Sequence, residues 1–262
     1  MTAWPDRIGP SLQAERRGHL LVLTIQRPHA RNAIDAETAE AMNAAMDRID
    51  DDPDIFMAII TGSGEHFCAG ADLKAVAAKG SSGTMQPRGS FGICAKPPEK
   101  PLIAAIEGAA VGGGLEIALA CDLIVAARDA RLGLPEVKRN LVAMGGGLLR
   151  LPRRLPYYVA AEIALSGDLF PAQFLYHHGL INRISAPGEA LKDAIAWAEQ
   201  LMQNGPTALA ASISILRRAS DWSLTQGWQE QRSLARPALE SQDRQEGVRA
   251  FVEKRRPVWS GR

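Results

Sequence analysis

Pro101-Leu-Ile-Ala-Ala-Ile106, Gly108-Ala-Ala-Val-Gly-Gly-Gly-Leu-Glu116 and Gly133-Leu-Pro-Glu136 form the stretch that decides the fold. The first run is short, apolar and rich in branched residues, which predicts a buried strand, while 115–120 has the composition of a helix. Between them, Gly112, Gly113 and Gly114 predict a sharp turn. Glycine admits backbone conformations closed to other residues and lets a ligand approach without meeting a Cβ. The first turn of the following helix leaves its N–H groups unpaired, so such a turn can hold a developing negative charge.

The same alternation extends outward. Residues 20–25 and 55–60 read as strands, 35–49 as a helix with Met42, Met46 and Ile49 on one side, and 122–126 as a further buried strand. Strands alternating with helices predict an α/β core. The segment Thr61-Gly-Ser-Gly-Glu-His-Phe-Cys-Ala-Gly-Ala71-Asp-Leu-Lys74 is a glycine-rich loop whose backbone is shaped for a purpose. Residues 79–100, with Gly80, Gly83, Pro87, Gly89, Gly92, Pro97 and Pro98, predict a long irregular loop, either a surface connection or a mobile lid. From Gly205-Pro206 onward the chain turns helical, over 207–219, 224–239 and 246–254, with Asp243 and Glu246 spaced as a capping box. The expected division is a core over 1–204 and a helical region over 205–262.

Composition narrows the function. A 262-residue chain with 46% hydrophobic and 23% charged residues is ordinary for a soluble globular protein. A formal net charge of +1 argues against a nucleic-acid surface, and the basic cluster Lys254-Arg255-Arg256 reads as a solvated face. Cys68, Cys94 and Cys121 have no metal-ligand spacing and predict reduced thiols in a cytoplasmic protein. Residues 1–17 contain no apolar leader core, and no later apolar run approaches a membrane span.

Two carboxyls carry the chemistry. Glu116 alone would also suit a helix first turn, where it complements the dipole. Glu136 follows Leu132-Gly-Leu-Pro135, an apolar surrounding that raises a carboxyl pKa and suits it to act as an acid. One protonated and one ionised carboxyl beside a substrate are what addition or removal of water across a polarised double bond requires. The rivals lack their motifs. Gly112-Gly-Gly-Leu-Glu-Ile117 misses the last glycine of a dinucleotide fingerprint, no phosphate loop or Gly-x-Ser-x-Gly elbow occurs, and His66 and His177-His178 sit in no metal array.

The blocks Ser63-Gly-Glu-His-Phe-Cys-Ala-Gly-Ala-Asp-Leu-Lys74, Ala105-Ile-Glu-Gly-Ala-Ala-Val-Gly-Gly-Gly-Leu-Glu116 and Leu134-Pro-Glu136 resemble the crotonase (enoyl-CoA hydratase/isomerase) family. The likeness runs from Arg27-Pro-His-Ala-Arg-Asn-Ala33 through Leu165-Ser-Gly-Asp168 and Gly179-Leu-Ile-Asn-Arg183 to Phe251-Val-Glu-Lys-Arg255. It implies a crotonase-like spiral of ββα repeats with a C-terminal helical trimerisation region, assembled as a homotrimer or dimer of trimers. It implies an acyl-CoA thioester as partner, no cofactor beyond the coenzyme A of the substrate, and no metal. By resemblance the N–H groups of Ala71 and Gly113 form an oxyanion hole. Ala69, Asp72, Leu73, Lys74 and Gly112 line the path of substrate and CoA, and Phe251 and Lys254 approach the CoA of a neighbouring subunit.

Members that hydrate a 2-enoyl-CoA to a 3-hydroxyacyl-CoA carry glutamates at the positions of Glu116 and Glu136, so the resemblance implies an enoyl-CoA hydratase. Acyl-CoA dehydratases of the carnitinyl-CoA type use the same pair and are the alternative. A non-catalytic acyl-CoA-binding module is the alternative from another class. Short-chain hydratases have Pro-Gly where this chain has Ala143 and Met144. Met144 is therefore expected beside the attacking water, with its side chain shaping the acyl pocket.

Overall fold

The computed structural model describes residues 4–79 and 82–262. The chain opens with β1 (Arg7–Ile8), β2 (Leu12–Arg17), β3 (Leu20–Ile25), α1 (Ala36–Asp51), β4 (Met57–Gly62) and α2 (Leu73–Lys79). Its middle holds β5 (Met85–Gln86), β6 (Gly89–Ser90), β7 (Leu102–Ile106), β8 (Ala109–Val111), α3 (Gly113–Ala120), β9 (Leu123–Ala127) and β10 (Arg131–Gly133). There follow α4 (Gly147–Arg154), α5 (Tyr157–Ser166), β11 (Phe170–Pro171), α6 (Ala172–His177), β12 (Arg183–Ser185) and α7 (Ala190–Leu201). The chain closes on α8 (Pro206–Arg218), α9 (Leu224–Leu239) and α10 (Gln242–Val252).

Seven strands form one sheet in the order β1-β2-β3-β4-β7-β9-β12, parallel from β3 to β12. Both faces are covered, which is why the strands read as continuous apolar runs rather than alternating ones. Leu21, Leu23 and Ile25 point into the main core with Ile34, Met42 and Met46, while Leu20, Val22, Met57 and Ile103 pack under Ala190, Ala194 and Ala198 of α7. The strands and helices expected from 20–25, 35–49 and 115–126 are all present. Asp35, placed at the start of its helix, is the N-cap of α1 and accepts from the Thr38 N–H at 2.9 Å.

A second sheet, β11-β10-β8, pairs β8 parallel to β10. β8 runs directly into the glycines that open α3, and β10, paired beside it, runs into the turn that carries Glu136.

Two expectations are corrected. Of the long loop 79–100, Gly80 and Ser81 lie outside the described residues, and 82–100 is mostly turns, as an irregular loop should be, but is no loose surface connection. It forms the β5-β6 hairpin, buries Phe91, Ile93 and Cys94 in the core, and holds Arg88 by ion pairs to Asp47 and Asp50 of α1 at 2.7 and 2.6 Å. The predicted capping box of Asp243 and Glu246 does not exist. Helix α10 starts earlier, with Ser241 as its cap accepting from the Arg244 N–H. Asp243 instead turns to the chain end, accepting from Ser260 N–H (2.7 Å), Ser260 Oγ (2.9 Å) and Gly261 N–H (2.9 Å). No helix among the described residues is long and apolar enough to cross a membrane.

Candidate active site

Loop 67–72 is stitched between two neighbours. Cys68 N–H donates to Ala109 O and Val111 N–H to Cys68 O, while Ile34 N–H donates to Gly70 O at 2.7 Å and Asp72 N–H to Ile34 O at 2.9 Å. Arg27 anchors the far side by bonding both Asp35 and Asp72 at 3.0 Å. Asn32, in the left-handed region at φ 56°, spends its side-chain amide on the carbonyls of Ser63 and His66. Gly70 has φ +87°, and a Cβ there would stand 2.8 Å from Val111 O and 3.0 Å from Gly113 N. Only glycine lets this loop meet the glycine turn so closely. The amides of Ala71 and Gly113 are thereby brought to adjoining backbone, and among the described residues neither has an acceptor.

The turn itself has one job per glycine. Gly112 adopts φ +57° and donates to Gly133 O, joining the turn to β10. A Cβ on Gly113 would strike the Phe91 ring at 2.3 Å, and one on Gly114 would strike Cys68 O at 2.1 Å. Phe91, from the 82–100 segment, therefore forms the backing of the Gly113 amide.

Glu116 sits in the first turn of α3, is 2% exposed, and accepts from the Gly147 N–H at 2.9 Å. Burial pushes its carboxyl pKa up; the Gly147 N–H opposes this, the charge of Glu136 adds to it, and the Gly145 N–H and the Arg150 charge oppose it. Glu136 lies in a 3-10 turn over Pro135–Arg139 with its carboxyl against the Cα of Gly112, where a Cβ would come 2.9 Å from Oε1. Burial raises its pKa as well, and its Oε2 is buried with no hydrogen-bond partner among the described residues. Gly112 touches both residues: its carbonyl accepts from the Glu116 backbone N–H, and its Cα packs against the Glu136 carboxyl. One is amide-held and the other unsatisfied, which is an acid/base pair in form.

A profile of the enoyl-CoA hydratase/isomerase family matches residues 15–262 of this chain. The chain belongs to this family. Among similar proteins, enoyl-CoA hydratase EchA19 of Mycobacterium tuberculosis is 38% identical over 261 residues, covering 97% of this chain and 98% of that one. Carnitinyl-CoA dehydratase of Salmonella typhi is 41% identical over 259 residues, 96% of this chain and 99% of its own. The crystal structure of an enoyl-CoA hydratase from Mycobacterium tuberculosis H37Rv superposes with a TM-score of 0.93 at 47% identity, over 97% of this chain and all of that one.

Within this crotonase-family chain, the expected site residues divide. Glu116, Glu136, Ala71, Gly112 and Gly113 converge, and Ala69 lies half-buried in the same loop. Asp72 is engaged by Arg27, while Leu73 and Lys74 are exposed at the start of α2. Met144 is 79% exposed, so its side chain leaves the carboxyl pair rather than shaping the space beside it. The loop after Met144 matters instead through glycine, since a Cβ on Gly145 would fall 2.6 Å from Glu116 Oε2. Phe251 is 85% exposed near the end of α10, and Lys254 follows it at φ 55°, neither of them in contact with the carboxyl pair within this chain. Residues 145–147, Phe91 and Arg150 take part in the site without having stood out in the sequence. Three successive glycines after a carboxylate motif were the available signal.

All three cysteines are free and buried. Burial pushes the Cys68 thiol, two residues before Gly70, up to about 12.

Proposed function

We propose that this protein catalyses reversible addition of water to a 2-enoyl-CoA, giving the 3-hydroxyacyl-CoA. The observation that carries the reading is the pair of raised carboxyls, Glu116 held by Gly147 and Glu136 against Gly112, with two backbone amides in the adjoining turns that have no acceptor among the described residues. Amides from Ala71 and Gly113 take the thioester oxygen and stabilise the enolate-like charge. Glu116 is the base: hydrogen bonds from Gly147 and Gly145 favour its ionised form, and it takes a proton from water as the oxygen bonds to C3. Glu136, whose Oε2 has no partner among the described residues to stabilise a charge, holds the proton delivered to C2. Water thus gives its hydroxyl to C3 and one proton to Glu116, Glu136 gives its own proton to C2, and passage of a proton from Glu116 back to Glu136 resets the pair. Ala69 and the stretch from Asp72 to Lys74 lead toward the CoA.

Dehydration passes through the same transition state, and the Salmonella relatives named for carnitinyl-CoA make that the second reading. The exposed apolar residues of α9 and α10, Leu224, Trp228, Val248 and Phe251, support assembly as a homotrimer or dimer of trimers through the helical region. In such an assembly Phe251 and Lys254 reach a neighbour's CoA.

The test is loss of the enoyl-thioester absorbance with crotonyl-CoA and longer enoyl-CoAs, alongside carnitinyl-CoA in the reverse direction. Glu116→Gln and Glu136→Gln are each expected to lower turnover roughly 10²- to 10⁴-fold. Near-native turnover by both variants would refute the acid and base roles of the pair. Binding of several chain lengths with no turnover by the wild-type protein would favour a non-catalytic module.

A further inference from the structure

Helices α4 and α8 enclose a cavity of about 680 Å³ whose charged lining is mostly cationic. Arg150, Arg153 and Arg154 stand three and four residues apart, so one face of α4 carries them all. Arg217 and Arg218 face them from α8, and Lys96 adds a sixth cation. The carboxylates present are used one for one. Asp122 takes Arg217 in two bonds of 2.7 and 2.6 Å, Glu99 takes Arg218 at 3.1 Å, and Asp221 takes Arg153 at 2.8 Å. Among the described residues, Arg150, Arg154 and Lys96 have no carboxylate partner. Arg150 Nη2 has a backbone carbonyl, that of Cys94 at 2.5 Å, and Arg154 has no hydrogen-bond acceptor among the described residues.

Three cations with no carboxylate in ion-pair contact stand around one space, where they repel one another and protein walls focus their field. Burial depresses the proton affinity of Arg154, and the adjacent Arg150 depresses it further. Arg154 is an exposed residue that also lines the cavity, beside the guanidiniums of Arg150 and Arg217. An oxyanion relieves this repulsion, and a guanidinium fork bonds one with two parallel N–H groups.

We infer that the cavity between α4 and α8 is a binding site for a phosphate dianion, held chiefly by Arg150 and Arg154. The phosphate is free in solution or carried as a monoester on a larger molecule. The site stands apart from the carboxyl pair in its chemistry and does not depend on the reaction assigned to that pair. It shares one wall with it, because Arg150 also packs against Gly146 in the loop that holds Glu116.

Titration calorimetry with inorganic phosphate, at ionic strength fixed with sodium chloride, tests the site on the intact protein. The expected result is saturable binding of one phosphate per chain. Arg154→Gln should weaken it roughly tenfold or more, as a charge-assisted contact is lost, and Arg154→Lys should recover part of the affinity. Arg154 makes no hydrogen bond to the described residues, so a melting curve in chloride should match the wild type and confirm folding. Displacement of phosphate by CoA but not by dephospho-CoA identifies a carried phosphate, and displacement by neither identifies the free anion. Absence of saturable phosphate binding to the wild type, or equal affinity in Arg154→Gln, overturns the assignment.

Discussion

Gly147 donates its backbone N–H to Glu116 Oε1 across 2.9 Å, in a place where neither it nor Gly145 has room for a side chain. The carboxylate is oriented by main chain, and that main chain is held close by having no Cβ atoms.

Gly145→Ala is the direct probe. Its new methyl would lie 2.6 Å from Glu116 Oε2, and the carboxylate can only yield by leaving the Gly147 amide. Displacing a catalytic group by about 1 Å costs on the order of 10²-fold in rate. Steady-state hydration kinetics should show that loss in kcat with KM little changed, because Gly145 makes no contact with the proposed CoA path.

The raised carboxyls set the pH dependence. As pH falls through the raised pKa of Glu116, the ionised base is lost, so the acidic limb of kcat should lie above the ordinary glutamate value of about 4.3. Glu136→Gln puts a neutral amide where the mechanism holds a neutral acid, so the acidic limb of its residual activity should stay in place while its rate falls. Stability follows with opposite sense from a salt-bridged acid. The folded state binds this proton more tightly than the unfolded chain, so ionised Glu116 costs stability above its folded pKa and nothing once both states are protonated. Thermal melts of Glu116→Gln should exceed wild type at pH 8 and converge with it as pH falls to about 4.

Phe91 joins stability to activity. It is buried, adopts φ +61°, and backs the Gly113 amide. Phe91→Ala should cost about 3 kcal/mol or more in chemical denaturation and lower kcat as the turn loosens. Phe91→Leu, which refills most of the volume, should recover more stability than rate.

Asp243 clamps the chain end through three hydrogen bonds to Ser260 and Gly261. Asp243→Ala should cost about 2 kcal/mol, as charge-assisted bonds are lost, and should expose the last residues to limited proteolysis. Turnover of the intact variant should remain near wild type.

The sheet and the glycine turn were legible because their signals are local. Buried parallel strands read as apolar runs, and the triple glycine marks the break before α3, although only Gly112 lies in the turn and Gly113 and Gly114 already open the helix. Glu136 was legible from its apolar neighbours. What escaped depended on distant chain segments meeting. Nothing in the sequence around Phe91 says that its ring lies under Gly113, since proline and glycine there imitate a loose loop. Asp243 and Glu246 have capping-box spacing, yet Ser241 starts the helix two residues earlier by accepting from the Arg244 N–H, and Asp243 accepts from Ser260 and Gly261 instead. Met144 was expected beside the water because it stands where similar short-chain hydratases have Pro-Gly, yet in the fold it is the three following glycines, not its side chain, that meet Glu116 and its surroundings.

Cys68 sets its carbonyl and Cβ under Gly114 and its thiol against the Gly70 N–H, in the loop before Ala71, and a thioester is the functional group proposed to dock there. A thiolate at that place would attack the acyl carbonyl and capture the acyl group by transthioesterification, expelling free CoA. With its pKa pushed up to about 12, Cys68 has almost no thiolate at neutral pH, and its burial closes the line of attack. Packing that looks purely structural thus also acts as chemical insulation, leaving the thioester bond intact while the double bond beside it reacts.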